Sequence, residues 1–114
     1  MKNLNQARVN VMISNMDEAI DFYVNHLGLE LVNRYSNHYA ELDANGFMVA
    51  LHPTTSDVSV GNNVSIGLGV YNFDETIQML ESKGISFSFE KGGYIRLAHF
   101  KDPDGNPLFL AENT

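Results

Sequence analysis

Four histidines, His26, His38, His52 and His99, head the side chains able to do chemistry, and there is no cysteine. That absence removes thiolate nucleophiles, disulfides and cysteine-ligated zinc together, leaving His, carboxylates, Tyr, Arg or a bound group to act. His52 is the sharpest single candidate, able to bind a metal or to move a proton near neutral pH, although its neighbour Pro53 suits a plain turn at a strand end equally well. His38 begins a strand-like stretch beside Asn37, and His99 lies two residues from a turn. His26 falls where a helix should end, a position that favours partial positive charge. Arg8 and Arg96 could take an anionic group, whereas Glu41 and the net charge of −7 favour a cationic one. The plain alternative for Arg96 and Glu41 is a surface cross-strand ion pair. Tyr35, Tyr39, Tyr94 and Phe100 could stack on a ligand, or serve only as core and dimer contacts. No nucleophile elbow, phosphate loop or dinucleotide fingerprint occurs, and Gly92-Gly93 reads as a hairpin turn.

The chain that must position these groups has 114 residues, 44% of them hydrophobic, which suits one compact domain with a buried core. Its basic residues, Lys2, Arg8, Arg34, Lys83, Lys91, Arg96 and Lys101, form no run, so nucleic acid is disfavoured as a partner. The opening MKNLNQARVNVMIS lacks a signal-peptide apolar stretch, and no segment approaches the roughly 20 apolar residues of a membrane span. A cytoplasmic protein with no membrane partner is the expectation.

An internal repeat organises the whole chain. Val9 to Tyr23 aligns without gaps on Ile66 to Leu80 at an offset of 57, from 72 − 15, which is half of 114. Identities fall where a strand hands over to a helix: Asn15 with Asn72, Asp17 with Asp74, Glu18 with Glu75 and Ile20 with Ile77. Asn15 and Asn72 are expected to cap helices through their side chains, with the acidic residues favoured near the positive helix end. Helix one is expected to run to about His26 on a stripe of Met16, Ala19, Ile20, Tyr23 and Val24, stopped by Gly28. Helix two repeats this with Phe73, Ile77 and Leu80 before Gly84, its glycine following the cap by one residue fewer.

Strand-like stretches follow each helix: LGLELVNRYS, HYAELDA and GFMVALHP, then ISFSFEK, YIRLAHFK and PLFLAE. Asp102-Pro103-Asp104-Gly105 has the chemistry of a type I turn before the last strand. The pattern is α+β, two βαβββ modules at about 7–53 and 64–112, joined by a Ser, Thr, Gly and Asn-rich linker at about 54–63.

The phrases NMDEAIDFYVNHLGLEL, with its Phe22-Tyr23 pair and Leu27-Gly28, and HFKDPDGNPLFL resemble the vicinal oxygen chelate superfamily, which includes glyoxalases, bleomycin resistance proteins and extradiol dioxygenases. The resemblance runs from about Arg8 to Glu112. It implies paired βαβββ modules whose curved mixed sheets surround a cleft, usually completed by a homodimer. Metal-dependent members place one ligand on the first and one on the last strand of each module. Those positions correspond here to Arg8, Ala50, Ser65 and Phe109, none of them the family's His, Gln or Glu. Ala50 and Phe109 offer no donor atom, Ser65 is a poor neutral ligand, and Arg8 brings a cation where the metal's charge belongs.

No metal cofactor is therefore expected, and the function expected is that of the family's small-molecule-binding, drug-sequestering members. The alternative is an enzyme, a metal-dependent lyase like lactoylglutathione lyase or a dioxygenase, with an unorthodox site around His52 and Glu41 or His99. Strand alternation puts Arg8, Asn10 and Met12 on one face, with Met48, Ala50 and His52, Ser65, Gly67 and Gly69, and Pro107, Phe109 and Ala111 on the corresponding faces. The expected ligand-binding set is Arg8, Asn10, Met48, Ala50, His52, Ser65, Gly67, Tyr94 and Phe109. Gly67 and Gly69 either leave room for a bulky ligand or allow close packing.

Overall fold

Alternation along the first strand, with Val9, Val11 and Ile13 facing one way and Arg8, Asn10 and Met12 the other, sets the layering of the N-terminal half. The computed structural model describes residues 3–54, 57–61, 63–92 and 95–113, the last two of residues 63–92 in backbone only. The chain divides into two compact units, Met1–Ser59 and Val60–Thr114, a boundary inside the expected linker. Each unit is one βαβββ module carrying a four-stranded mixed sheet.

The first unit contains β1 (Arg8–Ile13), α1 (Met16–Ile20), a π-helical continuation (Asp21–His26), β2 (Glu30–Tyr35), β3 (Tyr39–Ala44) and β4 (Phe47–Pro53). Its sheet order is β1-β4-β3-β2, with β1 parallel to β4 and the other pairs antiparallel. Val11, Ile13, Ala40, Leu42, Val49 and Leu51 are buried together with Met16, Ala19, Phe22 and Tyr23 of the helix. Each leucine removed from water here contributes about 1.5–3 kcal/mol, which makes this face the main determinant of register. Strand β2 is exposed along its length at the sheet edge, and its pairing with β3 shifts between Leu31 and Asn33 in a bulge.

Asn15 caps α1 as expected, its extended backbone (φ −137°, ψ 116°) placing Oδ1 to accept from the Glu18 amide at 2.9 Å. The expected uniform α-helix to His26 is not what forms. After Ile20 the helix widens, and Leu27 N donates to Phe22 O, five residues back, at 3.0 Å. The cause is visible in the repeat: the cap-to-glycine spacing is 28 − 15 = 13 in this module and 84 − 72 = 12 in the other, and a π turn absorbs one extra residue without rotating the buried face. Gly28 ends the helix at φ +84°.

The second unit contains β5 (Ile66–Val70), α2 (Phe73–Ser82), β6 (Ser88–Gly92), β7 (Ile95–Lys101) and β8 (Pro107–Glu112), in sheet order β5-β8-β7-β6. Phe73, Ile77 and Leu80 of α2 are buried, as are Ala98, Phe100, Leu108 and Leu110 of the sheet. The expectation that Asn72 caps α2 through its side chain is corrected. Asn72 is left-handed (φ 52°, ψ 56°) and makes no side-chain cap; Thr76 instead donates through its backbone N and Oγ1 to Asn72 O, at 2.9 and 3.0 Å. An αL residue turns the chain sharply into the helix and swings its side chain away from the first amides.

The Asp102 turn forms as expected, Gly105 N donating to Asp102 O at 2.9 Å. The Asp102 carboxylate is 5% exposed and accepts from Asp104 N, Asn106 N and Asn106 Nδ2, at 2.9, 2.8 and 2.9 Å. The Gly92-Gly93 turn expected from the sequence involves Gly93, outside the described residues. Among the described residues no helix is long and apolar enough to cross a membrane.

Candidate functional site on the open sheet faces

The parallel pairing of β1 with β4 brings Arg8 beside Met48, Asn10 beside Ala50 and Met12 beside His52. All six lie on the face opposite the buried Val11, Ile13, Val49 and Leu51. His52 and Pro53 do not form the turn that their dipeptide allowed; both belong to β4, with Pro53 opposite Ile13.

Tyr39 organises this face. Its hydroxyl donates to Asn10 Oδ1 at 3.3 Å, the Arg8 guanidinium carbon lies 5.9 Å from its ring centroid, and the His52 ring meets it edge-on at 6.1 Å. Because β3 and β1 are separated by β4, the tyrosine reaches over the intervening strand, where Ala50 stands between Asn10 and Glu41 in register. Ala50 is 0% exposed. A larger residue there would meet the crossing ring, so the small side chain and the Tyr39 to Asn10 hydrogen bond depend on one another. Glu41 makes no ion pair among the described residues, and accepts from Asn33 Nδ2 at 3.1 Å.

In the second unit Gly67, Phe109 and His99 form one row across β5, β8 and β7. The space above Gly67 is taken by the Phe109 ring, which a β-carbon there would meet within 2.2 Å; Gly69 has open space above it. Close packing thus accounts for one glycine and not for the other. Ser65 lies just before β5 and is exposed, and Tyr94 lies outside the described residues. His99 Nε2 stands 2.7 Å from Glu90 Oε1 and its ring centroid 5.8 Å from that of Phe109. The sequence could not reveal the His99 to Glu90 pair, since it depends on the β6-β7 register.

On the helix side of this sheet Arg96 is committed elsewhere. Its guanidinium donates to Asp74 at 2.9 and 3.2 Å and to Glu112 at 2.9 and 3.3 Å, and it stacks 4.8 Å from the Phe73 centroid. The expected cross-strand ion pair of Arg96 is therefore present, with Glu112 on β8 and an added helix carboxylate. Hydrogen bonds from Arg96 hold the Glu112 carboxyl below its ordinary range, against an opposing desolvation effect, and those to Glu112 and Asp74 raise Arg96. An open groove of about 480 Å³, with Phe73, Ile77 and Phe89 in its walls and Glu81 among its polar groups, lies beside this cluster. Sequence reasoning did not find it, because Phe89 and the helix are brought together only by the fold.

Among the described residues no three His, Asp or Glu side chains converge in a way that could hold a metal ion. The pairs that do form are two-membered, as His99 with Glu90 and His26 with Asp21 at 3.6 Å.

A family model described as the Glyoxalase/Bleomycin resistance protein/Dioxygenase superfamily matches residues 5–109. No curated protein matches the sequence significantly. Among solved structures, a glyoxalase/bleomycin resistance protein/dioxygenase of Alicyclobacillus acidocaldarius superposes with TM-score 0.74 at 24% identity, covering 98% of this chain and 94% of that one. The genomically encoded fosfomycin resistance protein of Listeria monocytogenes superposes with TM-score 0.80 at 15% identity, covering 97% and 94%. A fosfomycin resistance protein of Mesorhizobium loti gives 0.76 at 12%, covering 96% and 92%. At these identities the likeness is one of fold.

Proposed function

The chain belongs to the glyoxalase/bleomycin resistance protein/dioxygenase superfamily, and from that premise we propose that it binds a small molecule without a divalent ion. One observation carries the reading: the residues at the family's ligand positions do not make a donor set. Ala50 is fully buried and carries no donor, Phe109 is packed on Gly67, Ser65 offers a neutral hydroxyl, and Arg8 is a fixed cation. A divalent ion needs carboxylate, imidazole or carbonyl donors, and a guanidinium at its position repels it. Side chains of these types do not support the metal-centred step of the family's enzymes, polarisation of vicinal oxygens by a Lewis acid.

Selection of the guest then falls to shape, aromatic contact and a few polar groups, the usual makeup of a small-molecule site. In this reading Arg8, Asn10, Met48 and His52 act on the open face of the first unit, and Ser65, Gly67 and Phe109 on that of the second, each unit taken by itself, in a cytoplasmic homodimer. Elemental analysis after dialysis against Ni, Zn, Fe(II) and Mn tests it, with no stoichiometric metal expected. One tightly held ion that supports an activity overturns it. Phe109→Asp is expected to weaken ligand binding while leaving the circular dichroism spectrum and unfolding cooperativity intact.

The exposed His52 beside Tyr39 and the His99 to Glu90 pair favour a second reading, an enzyme that moves a proton. Metal-supported turnover of the methylglyoxal-glutathione adduct or of a catechol, lost in His52→Ala, would establish that reading in place of the first.

A further inference from the structure

We propose that Arg8 is an anion anchor, so that the guest of the first unit's open face carries a carboxylate or phosphoryl group. This rests on the small-molecule reading above and names the chemical class that the face selects.

Three arginines allow a direct comparison. Arg34 donates to Asp17 at 2.7 Å and to Asn37 at 2.8 Å, and Arg96 is bracketed by Asp74 and Glu112. Arg8, exposed on β1, makes no ion pair and no hydrogen bond among the described residues; its contact is the Tyr39 ring. In a chain of net charge −7, a guanidinium left without a carboxylate stands apart from the local rule. The ring holds the cation by its quadrupole and leaves all five N–H donors unspent.

Two residues along the same face, Asn10 has its acceptor oxygen taken by the Tyr39 hydroxyl. Its Nδ2 has no partner among the described residues, so this side chain too presents donors. The acids nearest in register are occupied locally: Glu41 accepts from Asn33, and Asp43 accepts from Gly46 N at 2.7 Å. Arg8 and Asn10 therefore form a patch of donors roughly 7 Å long, set by two residues of strand rise. A planar fork matches two anionic oxygens, and Tyr39 with His52 supplies aromatic surface beside it.

The test uses benzoate and phenylphosphonate as probes, with benzamide as the uncharged analogue and benzylamine as the cation, read by NMR on the Arg8 Nε–H and Asn10 Nδ2 signals of the whole chain. Both anions are expected to give saturable shifts there, and benzamide and benzylamine to bind at least about tenfold more weakly, as the loss of a charge-assisted pair implies. Arg8→Gln is expected to lose the anion preference, and Arg8→Lys to recover part of it. Equal binding of benzamide, undiminished binding by Arg8→Gln, no recovery by Arg8→Lys, or no shift with either anion overturns the anchor. Metal occupancy is measured separately, on the parent chain without any probe, so failure of the metal-free reading is distinguishable from failure of the anchor.

Discussion

The ring of Phe109 lies directly on the backbone of Gly67, with Cζ, Cε2 and Cε1 all closer than 3 Å to where a β-carbon would stand. Gly67→Ala is therefore expected to displace the half-buried ring and to destabilise the protein by about 1 kcal/mol, the low end of the range for overpacking, because both residues lie on the open face. In a Phe109→Leu background the same substitution should cost less, and the loss of glycine's unfolded-state freedom should then favour alanine. A double-mutant cycle by denaturant unfolding checks this; additive effects of the two changes would contradict the contact.

Arg96 and Glu112 predict a pH dependence. The folded-state carboxyl of Glu112 is held below its ordinary range, so the stability it brings is fully present above the ordinary carboxylate value and is lost as pH falls through the depressed one. Glu112→Gln should lower the melting temperature at neutral pH, and its gap from the parent should close progressively in acid. A constant gap down to pH 2 would argue against the pair.

The two asparagines at the helix starts look alike in sequence and should respond differently. Asn15→Ala removes a side-chain cap and is expected to cost about 1 kcal/mol. At Asn72 the left-handed backbone is what matters, so Asn72→Gly should be neutral or stabilising, while Asn72→Ala costs about 1 kcal/mol. Thermal or urea unfolding of the three variants separates the cases.

Deleting one residue from each helix gives a further contrast. Removal of Asn25 takes one residue from the π segment and can restore ordinary α-helical spacing with the buried face in place. Removal of Met79 from α2, already α-helical, rotates Leu80 about 100° away from the core. The Asn25 deletion is expected to remain folded and the Met79 deletion to lose its cooperative unfolding transition.

The repeat made the βαβββ order legible because its landmarks, a polar helix entry and a glycine exit, are local. The same locality explains the misses. Asn15 and Asn72 occupy equivalent positions, and only the backbone angle decides which side chain reaches an amide. The extra residue between Asn15 and Gly28 was visible as a count, but whether it becomes a loop or a wide turn depends on packing of Phe22 and Tyr23. On the open faces, alternation identified Arg8, Asn10, Met48 and His52 as companions. The reach of Tyr39 across Ala50, and the meeting of His99 with Glu90, follow from strand order and register, which single-sequence patterning does not contain.

The offset between Leu31 and Asn33 has a consequence for how concentrated solutions of this protein behave. Strand β2 leaves Leu31, Val32 and Tyr35 uncovered at a sheet border, the composition from which fibrils recruit new chains. The extra residue bulged out of β2 in its pairing with β3 bends and twists that strand, which makes a border strand a poorer template for a straight incoming one.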